Sequence, residues 1–114
     1  MAGIDRKTWA VVACFLLVTA GCGTEKAEKL TPELLARGGK LFSLYCVGCH
    51  PEGENRIYPQ KSLHPTDLRA NGITTAEDIV ARIRKPGHGM KGYDKDALPD
   101  ADARAIAQYI IAVF

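Results

Sequence analysis

The chain has 114 residues, 46% of them hydrophobic and 25% charged, with a formal net charge of +2. That length is one domain at most; so small a charge excess rules out a strongly basic nucleic-acid binder, and so large an apolar share rules out a solvated coil. A domain of this size buries a modest core and calls for a staple, whether metal, cofactor or disulfide.

At the N-terminus, Arg6 and Lys7 precede an uncharged run of twelve residues from Trp9 to Ala20. Spanning a bilayer takes about 17 to 25 apolar residues, so the run is too short for a membrane helix. A basic start followed by a short apolar stretch describes a secretory signal peptide. Thr19-Ala20-Gly21-Cys22 then resembles a bacterial lipobox, with Thr19 standing where an aliphatic residue is usual. The resemblance implies cleavage before Cys22 and its lipidation; the blander reading is an ordinary cleavable signal with an incidental Cys. The alternating Glu and Lys from Thr24 to Leu30 have no apolar face and read as a tether. The division is therefore a signal peptide over 1–21, a lipidated tether over 22–30 and a folded domain over 31–114.

The domain opens on Thr31-Pro32-Glu33, an N-cap, a Pro at the first helical position and an acid in the first turn. Leu34, Leu35, Leu41, Phe42 and Tyr45 carry a helical period from there. Residues 51–72 are rich in Pro, Gly and Asn, show no period, and read as a long loop wrapped round something. Thr74-Thr75-Ala76-Glu77 looks like a capping box opening a second helix with Ile79, Val80 and Ile83 on one face, stopped at Pro86-Gly87. Pro99-Asp100 opens a third, in which Ile106, Tyr109, Ile110 and Val113 share a face. The fold class predicted is all-α, three main helices around one cofactor.

The first of these helices ends on Cys46-Val47-Gly48-Cys49-His50, the C-x-x-C-H of covalent haem attachment. Two thiols about one helical turn apart reach the two vinyl groups on one porphyrin edge, and the adjacent His becomes the proximal iron ligand. A thioredoxin-like dithiol would want a strand before it and a βαβ setting. A zinc site would have to assemble Cys46 and Cys49 with two of His50, His64 and His88, at no recurrent finger spacing. For the sixth position on iron the mature chain offers a single Met, Met90, in the Gly-rich loop Pro86-Gly87-His88-Gly89-Met90. A thioether raises the potential and suits an electron carrier. His88 is its rival two residues away, with His64 or an open position behind.

With those residues in place the chain resembles a class I cytochrome c. Gly38, Phe42 and Cys46 keep that family's spacing of Gly, aromatic and first haem Cys, and Ile106 and Tyr109 its aliphatic and aromatic pair on the last helix. The run from Gly53 to Leu63, Ala70-Asn71-Gly72 and the loop Met90-Lys91-Gly92-Tyr93 are similar to the small photosynthetic cytochromes of algae and cyanobacteria, with Lys91 in place of their Pro. A closer likeness is to monohaem outer-membrane lipoprotein cytochromes of metal-reducing bacteria.

The resemblance implies that the first and last helices cross with their backbones close at Gly38. It implies that the Pro59 carbonyl accepts from His50 Nδ1–H, that Asn55 stabilises the loop and that Lys61 lies near the haem propionates. It implies an electron carrier and not an enzyme: a monomer with one covalent haem c and iron held by His50 and Met90. Such a carrier passes electrons between redox proteins from an exported, membrane-anchored position on the periplasmic side of the outer membrane, with no nucleic-acid partner. The alternative is a haem-based sensor or ligand-binding module whose sixth ligand is labile. Arg82, Arg84, Lys85 and Lys91, with no acid between Ile79 and Tyr93, would steer an acidic partner, or simply compensate propionates or face solvent.

Overall fold

The computed structural model describes residues 28–114; the signal, lipobox and most of the tether lie outside the described residues. Four α-helices follow in order: α1 (Pro32–Tyr45), α2 (Pro65–Ala70), α3 (Ala76–Arg84) and α4 (Asp100–Val113), with single 3-10 turns at Pro51–Gly53 and Pro59–Lys61. There is no strand among the described residues.

α1 starts where its capping residues say it should. The Thr31 side chain accepts from the Leu34 amide at 3.2 Å and Pro32 opens the first turn. At its other end the helix does not stop cleanly. Cys46 and Val47 both donate to the Phe42 carbonyl, at 2.8 and 3.1 Å, and His50 donates to the Cys46 carbonyl at 2.9 Å. The C-x-x-C-H segment is thus wound as one further turn on the end of α1.

α3 is also capped, one residue later than its sequence suggests. Thr75, not Thr74, is the N-cap, and Asp78, not Glu77, closes the box. Asp78 Oδ2 accepts from the Thr74 and Thr75 amides, each at 2.9 Å, while Thr75 accepts from the Asp78 amide at 3.1 Å. The Thr74 amide first, then Thr75, hold the Asp78 carboxyl below its usual range. Ala76, Ile79 and Ile83 share the buried side of the helix.

The stretch 51–72 is more ordered than its composition predicts, for it contains both 3-10 turns and α2. Each of the three begins on a proline, Pro51, Pro59 and Pro65, where a missing N–H costs nothing and φ is already helical. Three to six residues are too few to show a period, which is why only the prolines announced them.

α4 is the spine of the core, packed by α1 along one side and α3 along another. Leu98, Ala103, Ile106, Ala107 and Ile110 are buried with Phe42, Ile79 and Ile83. Val113, predicted for the same face as Ile106, is instead 51% exposed. The C-terminal Phe114 takes its place, with ring centroids 5.4 Å from Phe42 and 6.0 Å from Tyr109.

The α1–α4 approach rests on Gly38. A Cβ there would sit 2.2 Å from the Ala105 carbonyl oxygen and 2.7 Å from Tyr109 Cβ. These are backbone and near-backbone atoms that cannot rotate away, so Gly38→Ala must push the helices apart. We expect at least about 2 kcal/mol of destabilisation, and at roughly 4–8 °C per kcal/mol for a domain of this size the thermal midpoint should fall by on the order of 10 °C. A calorimetric midpoint within a degree or two of wild type would contradict the close packing.

Candidate cofactor site

Cys46, Cys49 and His50 at the end of α1, and Met90 between α3 and α4, line a single cavity of about 340 Å³, within the roughly 300–1,000 Å³ of small-molecule sites. Its inner wall is aliphatic, with Leu68, Ile79, Ile83, Leu98, Ile106 and Ile110; polar and charged groups (Asn55, Lys61, Ser62, Asp67, Asn71 and Arg82) are spaced around it.

The two cysteines are free thiols. Burial, and then the neighbouring Cys49, push the Cys46 thiol up to about 11, so it stays protonated at neutral pH. A thioredoxin-like dithiol would want a strand before it, and there is none among the described residues. A zinc site loses ground as well: among the described residues no three His, Cys, Asp or Glu side chains are grouped to hold a metal ion.

His50 is buried, 8% exposed. Its Nδ1 lies 2.9 Å from the backbone carbonyl of Glu54. Burial lowers its pKa, and the Glu54 bond opposes this only in part, so the ring is neutral. Nδ1–H donates to Glu54, which leaves the Nε2 lone pair free to bind a metal.

The acceptor is therefore not Pro59, as the family resemblance implies. Pro59 is exposed at the start of its 3-10 turn and does not line the cavity. The reason is local: Glu52 and Gly53 adopt left-handed φ of 53° and 79°, folding the chain back so that the Glu54 carbonyl reaches His50 four residues after it. At Glu52 this costs about 1–2 kcal/mol relative to a right-handed conformation, and nothing in the residue type foretold it.

Beyond that turn, Asn55 knots the loop. Its Oδ1 accepts from the amides of Ile57 and Tyr58 at 2.9 and 2.8 Å, and its Nδ2 donates to the Lys61 carbonyl at 3.0 Å. The Lys61 ammonium lies 4.8 Å over the Tyr58 ring and borders the cavity. Ser62 is buried and donates to Asp67 at 2.6 Å, a pair the sequence did not single out.

Met90 sits just after Gly89, whose φ of +87° and contact with Tyr58 (a Cβ would lie 2.5 Å from Cε2) admit no side chain. Met90 is 37% exposed. His88 borders the same cavity, its ring 6.3 Å from Tyr58. His64 does not: its Nε2 is 3.2 Å from Glu54 Oε1 and its ring packs edge-on to Phe114. Of the three candidates for a sixth ligand, the fold leaves two.

The donor set suits a covalently held haem: two free thiols and a neutral imidazole on one turn, and a thioether bordering the same cavity with its aliphatic inner wall. Residues 33–110 match the family model described as cytochrome c oxidase, cbb3-type, subunit III. A cytochrome c6 of Cyanidioschyzon merolae is 32% identical over 86% of this chain and 88% of its own length. The chain belongs to the class I c-type cytochromes. Among solved structures, this cytochrome is similar to OmcF, an outer-membrane cytochrome of Geobacter sulfurreducens (45% identity, 68% of this chain and 98% of that one, TM-score 0.66). It is also similar to cytochrome c6C of Synechococcus sp. PCC 7002 (29% identity, 67% and 92%, TM-score 0.63). It is an electron carrier and not an enzyme, with one covalently bound haem c.

The basic stretch of this cytochrome does not act as one face. Arg82 and Lys91 border the cavity, Lys91 lying 5.0 Å over the Tyr93 ring. Arg84 turns inward instead, to Asp100 and to the carbonyls of Tyr93 and Asp94. The charged partner among these, Asp100, is sixteen residues on and lies beyond any window of local charge pattern.

Proposed function

We propose that this cytochrome holds its haem through thioethers to Cys46 and Cys49, ligates the iron with His50 and Met90, and passes single electrons between redox proteins as a membrane-anchored, exported monomer. The observation that carries the reading is that Cys46, Cys49, His50 and Met90 border one cavity whose inner wall is aliphatic. When bound, the haem supplies an iron that cycles between ferric and ferrous states.

The rest is the work of the chain. His50, oriented through Nδ1 by Glu54, offers a fixed neutral nitrogen. Ile79, Ile83, Leu98, Ile106 and Ile110 keep water from the interior, which limits rearrangement when the charge changes. Tyr45 and Ile57 border the cavity and are exposed, supplying an apolar rim on which a partner can dock briefly.

Absorption spectra of the purified protein in both oxidation states test the ligand set. A weak far-red band in the ferric form marks sulfur on iron; its absence would remove Met90. One observation favours the sensor reading: Met90 stands in a loop without helix or strand, directly after a glycine of left-handed φ. Binding of carbon monoxide to the reduced wild-type protein at micromolar concentration would support the sensor, and refusal of it the carrier.

For location, residues 1–21 act as an export signal and Cys22 as the lipidated first residue, with 22–30 tethering the domain 31–114 to the membrane, the outer membrane by analogy with the lipoprotein cytochromes it resembles. No helix among the described residues is long and apolar enough to cross a membrane. Lipidation contributes about 0.8 kcal/mol per buried CH₂, and stable anchoring takes more than one chain. Cys22→Ala should therefore release the protein into the soluble fraction with its spectrum unchanged. Retention on salt-washed membranes would mean a different anchor.

A further inference from the structure

The segment that carries Met90, from Lys85 to Gly92, has no helix or strand. Within it a single backbone bond is formed, from the Met90 amide to the Gly87 carbonyl at 3.4 Å, long for an amide hydrogen bond. The loop is held by its ends. The Tyr93 amide donates to the Ile83 carbonyl at 3.0 Å, and Gly92 lies against Pro86, where a Cβ would come within 2.9 Å of Cδ.

Arg84 joins those ends to the core. From the last residue of α3, its Nη1 donates to the carbonyls of Tyr93 and Asp94 at 3.0 and 3.1 Å, and its Nη2 to Asp100 Oδ1 at 2.8 Å. The side chain is only 17% exposed and its Nε is buried without a hydrogen-bond partner. An orphaned donor is unfavourable, so the pose is kept by its three acceptors and not by solvent. One planar fork thus ties α3, the exit of the loop and the first turn of α4. Lysine, a point donor on a flexible stem, cannot span that set.

We infer that Arg84 is a positioning residue for Met90: by closing the loop at its exit, it keeps the thioether at the cavity and resists its replacement by outside ligands. This rests on the reading of Met90 as the sixth ligand.

The test uses the ferric holoprotein, its far-red band and a titration with imidazole, which competes with Met90 for iron. Arg84→Gln should raise the apparent affinity for imidazole at least about tenfold and speed hydrogen exchange at the Tyr93 amide. Arg84→Lys should fall between it and wild type. Leu34→Val, which trims a buried residue of α1 outside the cavity, serves as the control for lost stability and should leave the imidazole affinity unchanged.

If Arg84→Gln does not accumulate as holoprotein, Asp100→Ala removes the acceptor of Arg84 Nη2 and should shift the affinity the same way by less. The role is overturned if the affinity is unchanged in the Arg84 variants, or if Leu34→Val moves it equally for the same drop in thermal midpoint. Absence of the far-red band in the wild-type protein is a separate failure, which overturns the Met90 assignment and this role with it.

Discussion

Cys46→Ala combined with Cys49→Ala should give a chain that neither retains haem after denaturation nor folds stably. The cofactor cavity of about 340 Å³ lies at the middle of the domain, walled by the same Ile79, Ile83, Leu98, Ile106 and Ile110 that form the core. At about 24 cal/mol per Å³, an enclosed void of that size would cost about 8 kcal/mol, an upper bound because the cleft opens to water. The total stability of a small domain is about 5–15 kcal/mol. Losing the group that fills the cavity therefore removes most or all of the margin, as it does in other small domains stapled by a cofactor or metal. Far-UV circular dichroism and cooperative melting of the double variant, expressed with haem-attachment machinery, check the point. A compact, helical, cooperatively melting apoprotein would contradict it.

Met90→Ala should abolish the far-red band of the ferric protein and open the reduced iron to carbon monoxide, unless His88 is recruited. The potential should drop on the order of 0.1 V or more, within the roughly 0.8 V that axial-ligand identity spans. A thioether favours ferrous iron, and both water and imidazole favour it less. His88→Ala should leave band, potential and ligand binding nearly as in wild type, although His88 borders the same cavity. The two variants separate the ligands, since His64 is engaged with Glu54 and Phe114 outside it. A native protein without the far-red band, or one whose ligation changes with His88→Ala, would transfer the assignment to His88.

What could be read from the sequence was whatever is written within a few consecutive residues. The thiols and imidazole of Cys46, Cys49 and His50 are joined by covalent spacing, so the attachment motif needs no tertiary information. Thr31 with Pro32 marks a helix start because the Thr31 side chain caps an amide three residues on, while Pro99 with Asp100 marks another by a residue of fixed φ and an acid in the first turn, without a side-chain cap. Gly38 was legible only through its spacing to Phe42 and Cys46, and the Ala105 carbonyl 2.2 Å from where its Cβ would stand supplies the reason.

The rest was decided by the fold. Which carbonyl accepts from His50 depends on the sign of φ at Glu52 and Gly53, and a left-handed Glu is not encoded in residue type; hence Glu54 and not Pro59. The capping frame of α3 is the one in which Asp78 reaches back to the Thr74 and Thr75 amides, and two adjacent threonines do not distinguish it from the frame closed by Glu77. Phe114 displaced Val113 from the core because an aromatic ring could meet both Phe42 and Tyr109. Arg84 left its basic neighbours because Asp100 and two loop carbonyls converge on its guanidinium. Local chemistry determined the cofactor, and a local reversal of φ chose the partner of His50; long-range packing, which brings together groups far apart in the chain, decided the core faces and the place of Arg84.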